Sequence, residues 1–224
     1  QKKTEETLVA LLKDKELLLR EVHHRVKNNL QMMLSLLRLQ AAETTDIYAK
    51  EKLKSFENRL FSLSLLHEDL YSPNKMGKIM FHNYLKKLTA HLTRAFMIST
   101  NDITINIDAN NFYLEPEIAI PCGVIINELM TNSFKYAFPD NRKGVININM
   151  TRNNDNYELI YNDSGIGISN DPNFIKKQTL GIQLVESLSS QLGNTPVIKN
   201  GNGLEYQFII KPVKQKDRME YIQN

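Results

Sequence analysis

Apolar residues recur every three or four positions in two stretches of the chain, 8–37 and 53–70. This spacing places them along one face of a helix. The first seventy residues contain neither Gly nor Pro, and a short polar segment, 42–46, separates the two stretches. Because the side chain of Thr45 or Asp46 could cap a second helix, the pattern predicts an antiparallel helical hairpin.

Two long apolar stripes cannot be buried within one hairpin. Pairing of two hairpins into a dimeric four-helix bundle would cover them, and we expect that arrangement. On the pattern alone, an inert coiled coil fits equally well.

After the segment Ser72-Pro73-Asn74, the purely helical spacing of apolar residues gives way to a mixture of helical and strand-like patterns. Without a regular alternation of strands and helices, this half predicts an α+β two-layer sandwich. The long helix is expected to hold Pro121 in its first turn, where proline is tolerated. The predicted helices cover 81–98, 118–138 and 180–192, and the predicted strands cover 103–107, 145–150, 157–161, 197–199 and 204–211.

Composition narrows the class of protein. Of the 224 residues, 42% are hydrophobic and 24% are charged, which is typical of a folded domain. The single cysteine, Cys122, excludes a disulfide framework, and a net charge of +3 without a basic stripe argues against nucleic-acid binding. No apolar run is long enough to span a membrane. We expect this segment to be cytoplasmic, whether or not its parent protein is anchored in a membrane. The chain begins at Gln1, and we expect it to be part of a longer protein.

A first polar cluster, residues 21–31, interrupts the apolar stripe of the first predicted helix. Glu21 precedes His24 by three residues and therefore shares its face, where a carboxylate can fix the tautomer of the imidazole. The other ring nitrogen is then available as a nucleophile. His23 points about 100° away around the helix. A lone histidine on such a face is more often simply solvated.

A second cluster lies on the long predicted helix, where Glu128, Asn132 and Lys135 follow helical spacing and face one way. Amide and carboxylate oxygens suit Mg²⁺, and an ammonium suits phosphate oxygens. The set therefore favours a magnesium–polyphosphate ligand, although a solvated polar face has the same pattern.

The third cluster has the pattern D-x-G-x-G, with Asp163, Gly165 and Gly167 directly after a predicted strand. It is neither the dinucleotide fingerprint nor the phosphate loop of other nucleotide-binding proteins. Its glycines let the backbone approach a ligand, and its aspartate can accept a hydrogen bond from an exocyclic amine. Leu180-Gly181 opens the next helix, whose free amides can bind an anion, and 169–178 is expected to be a lid.

The order of these clusters resembles the core of a sensor histidine kinase over about residues 8–212. The segment H-H-R-V-K-N-N-L-Q is similar to the HisKA type-2 branch. The related HWE branch is marked by a tryptophan–glutamate pair, and this chain has no Trp. The resemblance implies a dimerisation and phosphotransfer hairpin over 1–73, an ATP-binding domain of Bergerat (GHKL) type over 74–213, and a charged tail over 214–224.

The resemblance also implies roles for single residues. The phosphorylated histidine of the family stands directly before the arginine, which here makes it His24. Asn132 resembles the Mg²⁺-binding asparagine, Lys135 and Tyr136 match positions that contact phosphates or ribose, and Asp163 matches the residue that recognises the adenine amino group. The residues at the glycine boxes that flank the lid are Gly165, Gly167, Leu180 and Gly181.

Two glutamates remain candidates for the general base. Most kinases of the larger branch place an acidic residue directly after the histidine, whereas here Arg25 follows and could stabilise phosphate charge. Glu21 is one candidate. Glu128 is the other, at the position where GHKL hydrolases hold a water-activating glutamate.

The expected activity is phosphoryl transfer from ATP, with Mg²⁺, to His24, and then to an aspartate on the receiver domain of a response regulator. A homodimer and a sensor domain upstream are expected as partners. Two alternatives stay open: a GHKL ATPase without autokinase activity, and a dimeric scaffold that only binds nucleotide.

Overall fold

The computed structural model describes residues 2–70, 77–99, 102–168 and 180–211. The chain divides into two compact units, 1–77 and 78–224, and the residues of each unit pack mainly on one another.

The first unit is the helical hairpin that the apolar spacing predicts. Helix α1 covers Lys2–Glu43 and helix α2 covers Ile47–Leu70. Asp46 acts as the cap of α2, because its carboxylate accepts a hydrogen bond of 2.9 Å from the amide of Tyr48. A short polar connection and a capped helix start are thus enough to reverse the chain.

A small set of leucines holds the two helices together, with two ion pairs beside them. Burying a leucine contributes roughly 1.5–3 kcal/mol. Lys27 pairs with Glu68, and Arg38 pairs with Glu57, both at 2.7 Å. The buried leucines are Leu34, Leu60, Leu65 and Leu66.

Many apolar side chains of the hairpin stay exposed within one chain. Each of them exposes more than half of its surface to solvent, because the other helix of the hairpin does not cover it. They are Leu11, Leu17, Leu18, Val22, Met32, Met33, Leu36, Leu39, Ile47, Tyr48 and Phe56.

The second unit combines a five-stranded mixed sheet with helices, in agreement with the predicted α+β sandwich. The strand order is β2-β4-β5-β7-β6, in which β2 and β4 run parallel and the other neighbours antiparallel. The strands are β2 Ile103–Asp108, β4 Gly144–Asn153, β5 Asn156–Asp163, β6 Val197–Gly201 and β7 Gly203–Ile210. The helices are α3 Phe81–Ala95, α4 Pro116–Asn132 and α5 Leu180–Gln191. Two short strands that the sequence pattern missed, β1 Ile79–Met80 and β3 Tyr113–Leu114, pair with each other.

Helix α4 is the buried centre of this unit, and it differs from the prediction at both ends. It begins at Pro116, so Pro121 lies inside the helix and not in its first turn, where we expected it. The α-helix stops at Asn132, and a π-helical turn, Ser133–Ala137, replaces the last turn and a half that we predicted. The wider turn lets the backbone meet the end of β5, as described below.

Within the described ranges of the chain, no helix is long and apolar enough to cross a membrane.

Candidate functional site

His24 lies on the exposed side of α1, in the polar cluster of the first unit. Glu21, which we expected beside its imidazole, instead accepts a hydrogen bond of 2.7 Å from Nε of Arg25. The i, i+4 spacing and the full charge of the guanidinium explain this choice. Both partners of the pair are exposed, so the pair contributes little to stability.

His23 faces the second helix of the hairpin and lies against His67, a residue that the sequence did not single out. Their ring centroids are 5.5 Å apart. Burial lowers the pKa of His23 below its usual value, and the nearby imidazoles of His67 and His24 lower it further. Burial also lowers the pKa of His67. The two adjacent histidines of α1 therefore differ in surroundings: one packs on a second imidazole, and the other faces solvent.

Asp163 ends strand β5 in the second unit, and its carboxylate is buried. One oxygen, Oδ2, accepts a hydrogen bond of 2.6 Å from the hydroxyl of Ser133, and Oδ1 accepts one of 3.0 Å from the amide of Gly165. The hydroxyl of Tyr161 donates in turn to Ser133 at 2.8 Å. Burial raises the pKa of Tyr161 well above its usual value, so this phenol remains a donor.

Sequence reasoning missed Ser133 and Tyr161. Ser133 is thirty residues from Asp163 in sequence, and no periodic pattern links them. Tyr161 was seen only as a strand residue. The side-chain alternation of β5 could have pointed to Tyr161, since Tyr161 and Asp163 share a face. No sequence signal could have found Ser133, which lies on a different element.

The glycine loop after Asp163 is packed against the π-helical turn. A β-carbon at Gly165 would lie 2.4 Å from Cβ of Ala137 and 2.6 Å from its carbonyl oxygen. The amide of Ile166 donates to that same carbonyl at 3.0 Å. Gly165 is therefore required for close approach, as the sequence pattern suggested.

The polar side chains of α4 and of the π-helical turn that follows it range from buried to exposed. Glu128 is buried and accepts a hydrogen bond of 3.1 Å from the side-chain amide of Asn127. Asn132 is half-buried, whereas Lys135 and Tyr136 are exposed. The latter two lie on the π-helical turn, so they leave the single α-helical face on which we expected Glu128, Asn132 and Lys135 together.

Helix α5 begins at Leu180, which is exposed, and Gly181 behind it is buried. The predicted lid, 169–178, lies outside the described residues. An open cavity of about 510 Å³ adjoins the glycine loop at Ser164 and Gly165, and Arg142 and Lys143 line it with positive charge.

The groups around Asp163 fit an adenine nucleotide. Each carboxylate oxygen keeps a further lone pair after accepting one hydrogen bond, so Asp163 can still accept from an exocyclic amine. The half-buried amide of Asn132 offers an oxygen to Mg²⁺. In the part of the chain that the structure describes, no three His, Cys, Asp or Glu side chains come together to hold a metal ion.

A family model described as histidine kinase, HisKA_2, matches residues 21–96. This segment begins within α1, three residues before His24, and includes the rest of α1, all of α2 and helix α3.

The chain is also similar to curated sensor histidine kinases. It is 29% identical over 177 residues to the sensor histidine kinase PdtaS of Mycobacterium tuberculosis, covering 79% of this chain and 35% of that protein. It is 28% identical over 205 residues to the blue-light-activated histidine kinase 2 of Erythrobacter litoralis, covering 88% of this chain and 58% of that protein. The chain thus spans about a third to a little over half of the length of these relatives.

Among solved structures, the histidine kinase domain of a blue-light-activated histidine kinase from Erythrobacter litoralis is similar in fold. The TM-score is 0.65 at 25% identity, and the match covers 88% of this chain and 94% of that domain. The likeness therefore extends over both units of the chain.

Proposed function

We infer that this chain belongs to the HisKA_2 family of histidine kinases, whose model matches residues 21–96, and we propose that it is a two-component kinase core that phosphorylates itself on His24. The observation that carries the proposal is the exposed imidazole of His24, which lies within the matched segment 21–96. An acceptor nitrogen must be reachable by a phosphoryl donor, and a second protein must later reach the phosphohistidine.

The second unit supplies the nucleotide site in this proposal. Asp163, held by Ser133 and by the amide of Gly165, accepts the amino group of adenine. Lys135 and Tyr136 contact phosphates or ribose, and Leu180 and Gly181 present the first amides of α5 to the phosphates.

Asn132 would hold Mg²⁺, which neutralises charge on the phosphate oxygens during transfer. Phosphoryl transfer depends on alignment and charge more than on covalent help from the protein. The imidazole nitrogen of His24 forms a bond to the γ-phosphorus while the bond from that phosphorus to the bridging oxygen breaks, and ADP leaves. The proton of the imidazole passes to a general base, for which Glu21 and Glu128 remain the two candidates.

The surroundings of the two candidate bases differ. Glu21 is exposed and paired with Arg25. Glu128 is buried and accepts a hydrogen bond from Asn127. The guanidinium of Arg25, next to His24 in sequence, can stabilise charge on the transferred group.

The partners follow from the kinase role. The phosphohistidine passes its phosphoryl group to an aspartate on the receiver domain of a response regulator. We expect the chain to act as a homodimer in the cytoplasm, downstream of a sensor domain in its parent protein.

Incubation with γ-labelled ATP and Mg²⁺ tests the proposal. Label that is stable to base and labile to acid should appear on the wild-type chain. It should vanish in His24→Gln, which removes the acceptor, and in Asn132→Ala, which removes the amide for Mg²⁺. His23→Gln is the matched control and should retain the label. Label that survives His24→Gln would refute the assigned acceptor.

A second candidate, ATP hydrolysis without autophosphorylation, is favoured by the buried carboxylate of Glu128. It predicts that inorganic phosphate is released while the protein stays unlabelled, and that Glu128→Gln abolishes the release. The same incubation therefore separates the two candidates.

A further inference from the structure

The side chain of Asn200 on strand β6 holds the backbone of Ile168 with two hydrogen bonds. Its Oδ1 accepts from the amide of Ile168 at 3.0 Å, and its Nδ2 donates to the carbonyl of Ile168 at 2.9 Å. One asparagine thus satisfies both backbone groups of a single residue, as a neighbouring strand would do. Ile168 lies five residues after Asp163, at the end of the glycine loop 163–168.

Two glycines allow the loop and the β6–β7 hairpin to come this close. A β-carbon at Gly167, whose φ is +71°, would lie 2.4 Å from Oδ1 of Asn200. A β-carbon at Gly203, whose φ is +102°, would lie 1.8 Å from the carbonyl oxygen of Asp163. Both contacts and both backbone conformations require glycine. The β6–β7 hairpin therefore lies in close contact with the loop at two places, Asp163 and Gly167.

The rest of the loop is fixed from two other sides. The amide of Ser164 donates to the carbonyl of Val145 at 2.9 Å, and the hydroxyl of Ser164 accepts from the amide of Val145 at 2.8 Å. The amide of Ile166 donates to Ala137. These contacts secure the first half of the loop, and the second half depends on Asn200.

We propose that Asn200 is a positioning residue for the nucleotide site. This inference rests on the proposed function, because it concerns the loop that begins at Asp163. A loop that visits several conformations binds its ligand with an apparent affinity reduced by the fraction of time spent in the competent one. The bonds from Asn200 raise that fraction. They act on binding alone, since Asn200 does not touch the reacting atoms in this scheme.

The test is Asn200→Ala in the 224-residue chain, titrated calorimetrically with the non-hydrolysable ATP analogue AMP-PNP and Mg²⁺. The dissociation constant should rise roughly fivefold, because the two exposed hydrogen bonds that hold Ile168 are lost and the loop spends less time in the binding-competent conformation. The KM for ATP should rise by a similar factor, while the rate of autophosphorylation at saturating ATP stays unchanged. A merely structural role would instead lower the amount of active protein and leave KM as it is.

Asn153→Ala is the matched control. Asn153 is also an exposed asparagine next to a hairpin turn, at the end of β4 that is remote from Asp163. It should leave the dissociation constant, the KM and the melting temperature unchanged. Amide hydrogen exchange gives a second readout without nucleotide: exchange at Ile168 should become faster in Asn200→Ala, while exchange at Ser164 stays the same.

Equal affinities of wild type and Asn200→Ala, or unchanged exchange at Ile168, would overturn the positioning role. Failure of the wild-type chain to bind AMP-PNP would overturn the proposed function itself. The two failures are therefore distinguishable.

Discussion

Fixed donors on both oxygens leave the carboxylate of Asp163 little freedom to rotate. The hydroxyl of Ser133 and the amide of Gly165 hold it from two sides, and Tyr161 fixes the direction in which the hydroxyl of Ser133 points. The acceptor for an exocyclic amine is therefore oriented before a ligand arrives, which reduces the cost of binding. The site therefore consists of one carboxyl group and three donors: two bond to it directly, and Tyr161 acts through Ser133.

Gly165→Ala should destabilise the second unit and abolish nucleotide binding. The new methyl group would overlap Ala137, and either the loop or the π-helical turn must move, at a cost of about 1–3 kcal/mol. The measurements are the melting temperature and the calorimetric affinity for AMP-PNP with Mg²⁺.

Gly201→Ala is the control for that variant. A β-carbon at Gly201 would meet no atom within 4 Å, so the melting temperature should stay nearly constant. An equally small effect of the two substitutions would contradict the close packing of the loop on Ala137.

Among the elements, the helices and the main strands follow from sequence spacing, while the features that build the site do not. The strands of the five-stranded sheet begin and end close to their predicted bounds, whereas α1 and α2 extend beyond the apolar stretches 8–37 and 53–70 that predicted them. The π-helical turn was missed, because it depends on contact between Ala137 and the distant loop at Gly165. The link between Ser133 and Asp163, and the packing of His23 on His67, likewise join residues far apart in sequence. Local patterns carry no information on such pairs.

The stability of the hairpin should fall as the pH falls. The pKa values of His23 and His67 are lowered in the folded state. Protonation therefore favours the unfolded chain, and the stability present above about pH 6.5 is lost as the pH drops through the folded values. His24 and Lys27 add positive charge nearby, and Glu68 partly offsets it.

The measurement for this expectation is thermal unfolding followed by helical circular dichroism, from about pH 8 to about pH 5. His67→Gln removes one of the two facing imidazoles and should reduce the pH dependence. An identical fall in wild type and variant would contradict the role of this pair.

For the whole molecule, we expect the exposed apolar side chains of the hairpin to be buried against a second protein surface. A second copy would cover them with the same residues, in a four-helix bundle. This surface lies in the first unit, whereas Asp163 and the glycine loop lie in the second. Association and nucleotide binding should therefore respond to different substitutions.

If the chain pairs as we expect, Leu36→Glu should convert the expected dimer into a monomer, because it places a charge where an apolar side chain, 55% exposed within one chain, would be buried. Light scattering measures the mass in solution. Met97→Glu, at a residue 90% exposed in the second unit, is the control and should leave the mass unchanged. A monomeric wild-type chain would contradict the expected dimer.

The sequence around the two adjacent histidines allows the phosphorylated one to be identified directly. Trypsin should cleave after Arg20 and Arg25 and release the peptide Glu21–Arg25, which contains both adjacent histidines. After incubation with ATP and Mg²⁺, fragmentation of this peptide in a mass spectrometer at neutral to basic pH locates the phosphoryl group. We predict that it is on His24. A phosphoryl group on His23, or an unmodified peptide from protein that has bound and consumed ATP, would show that His24 is not the acceptor.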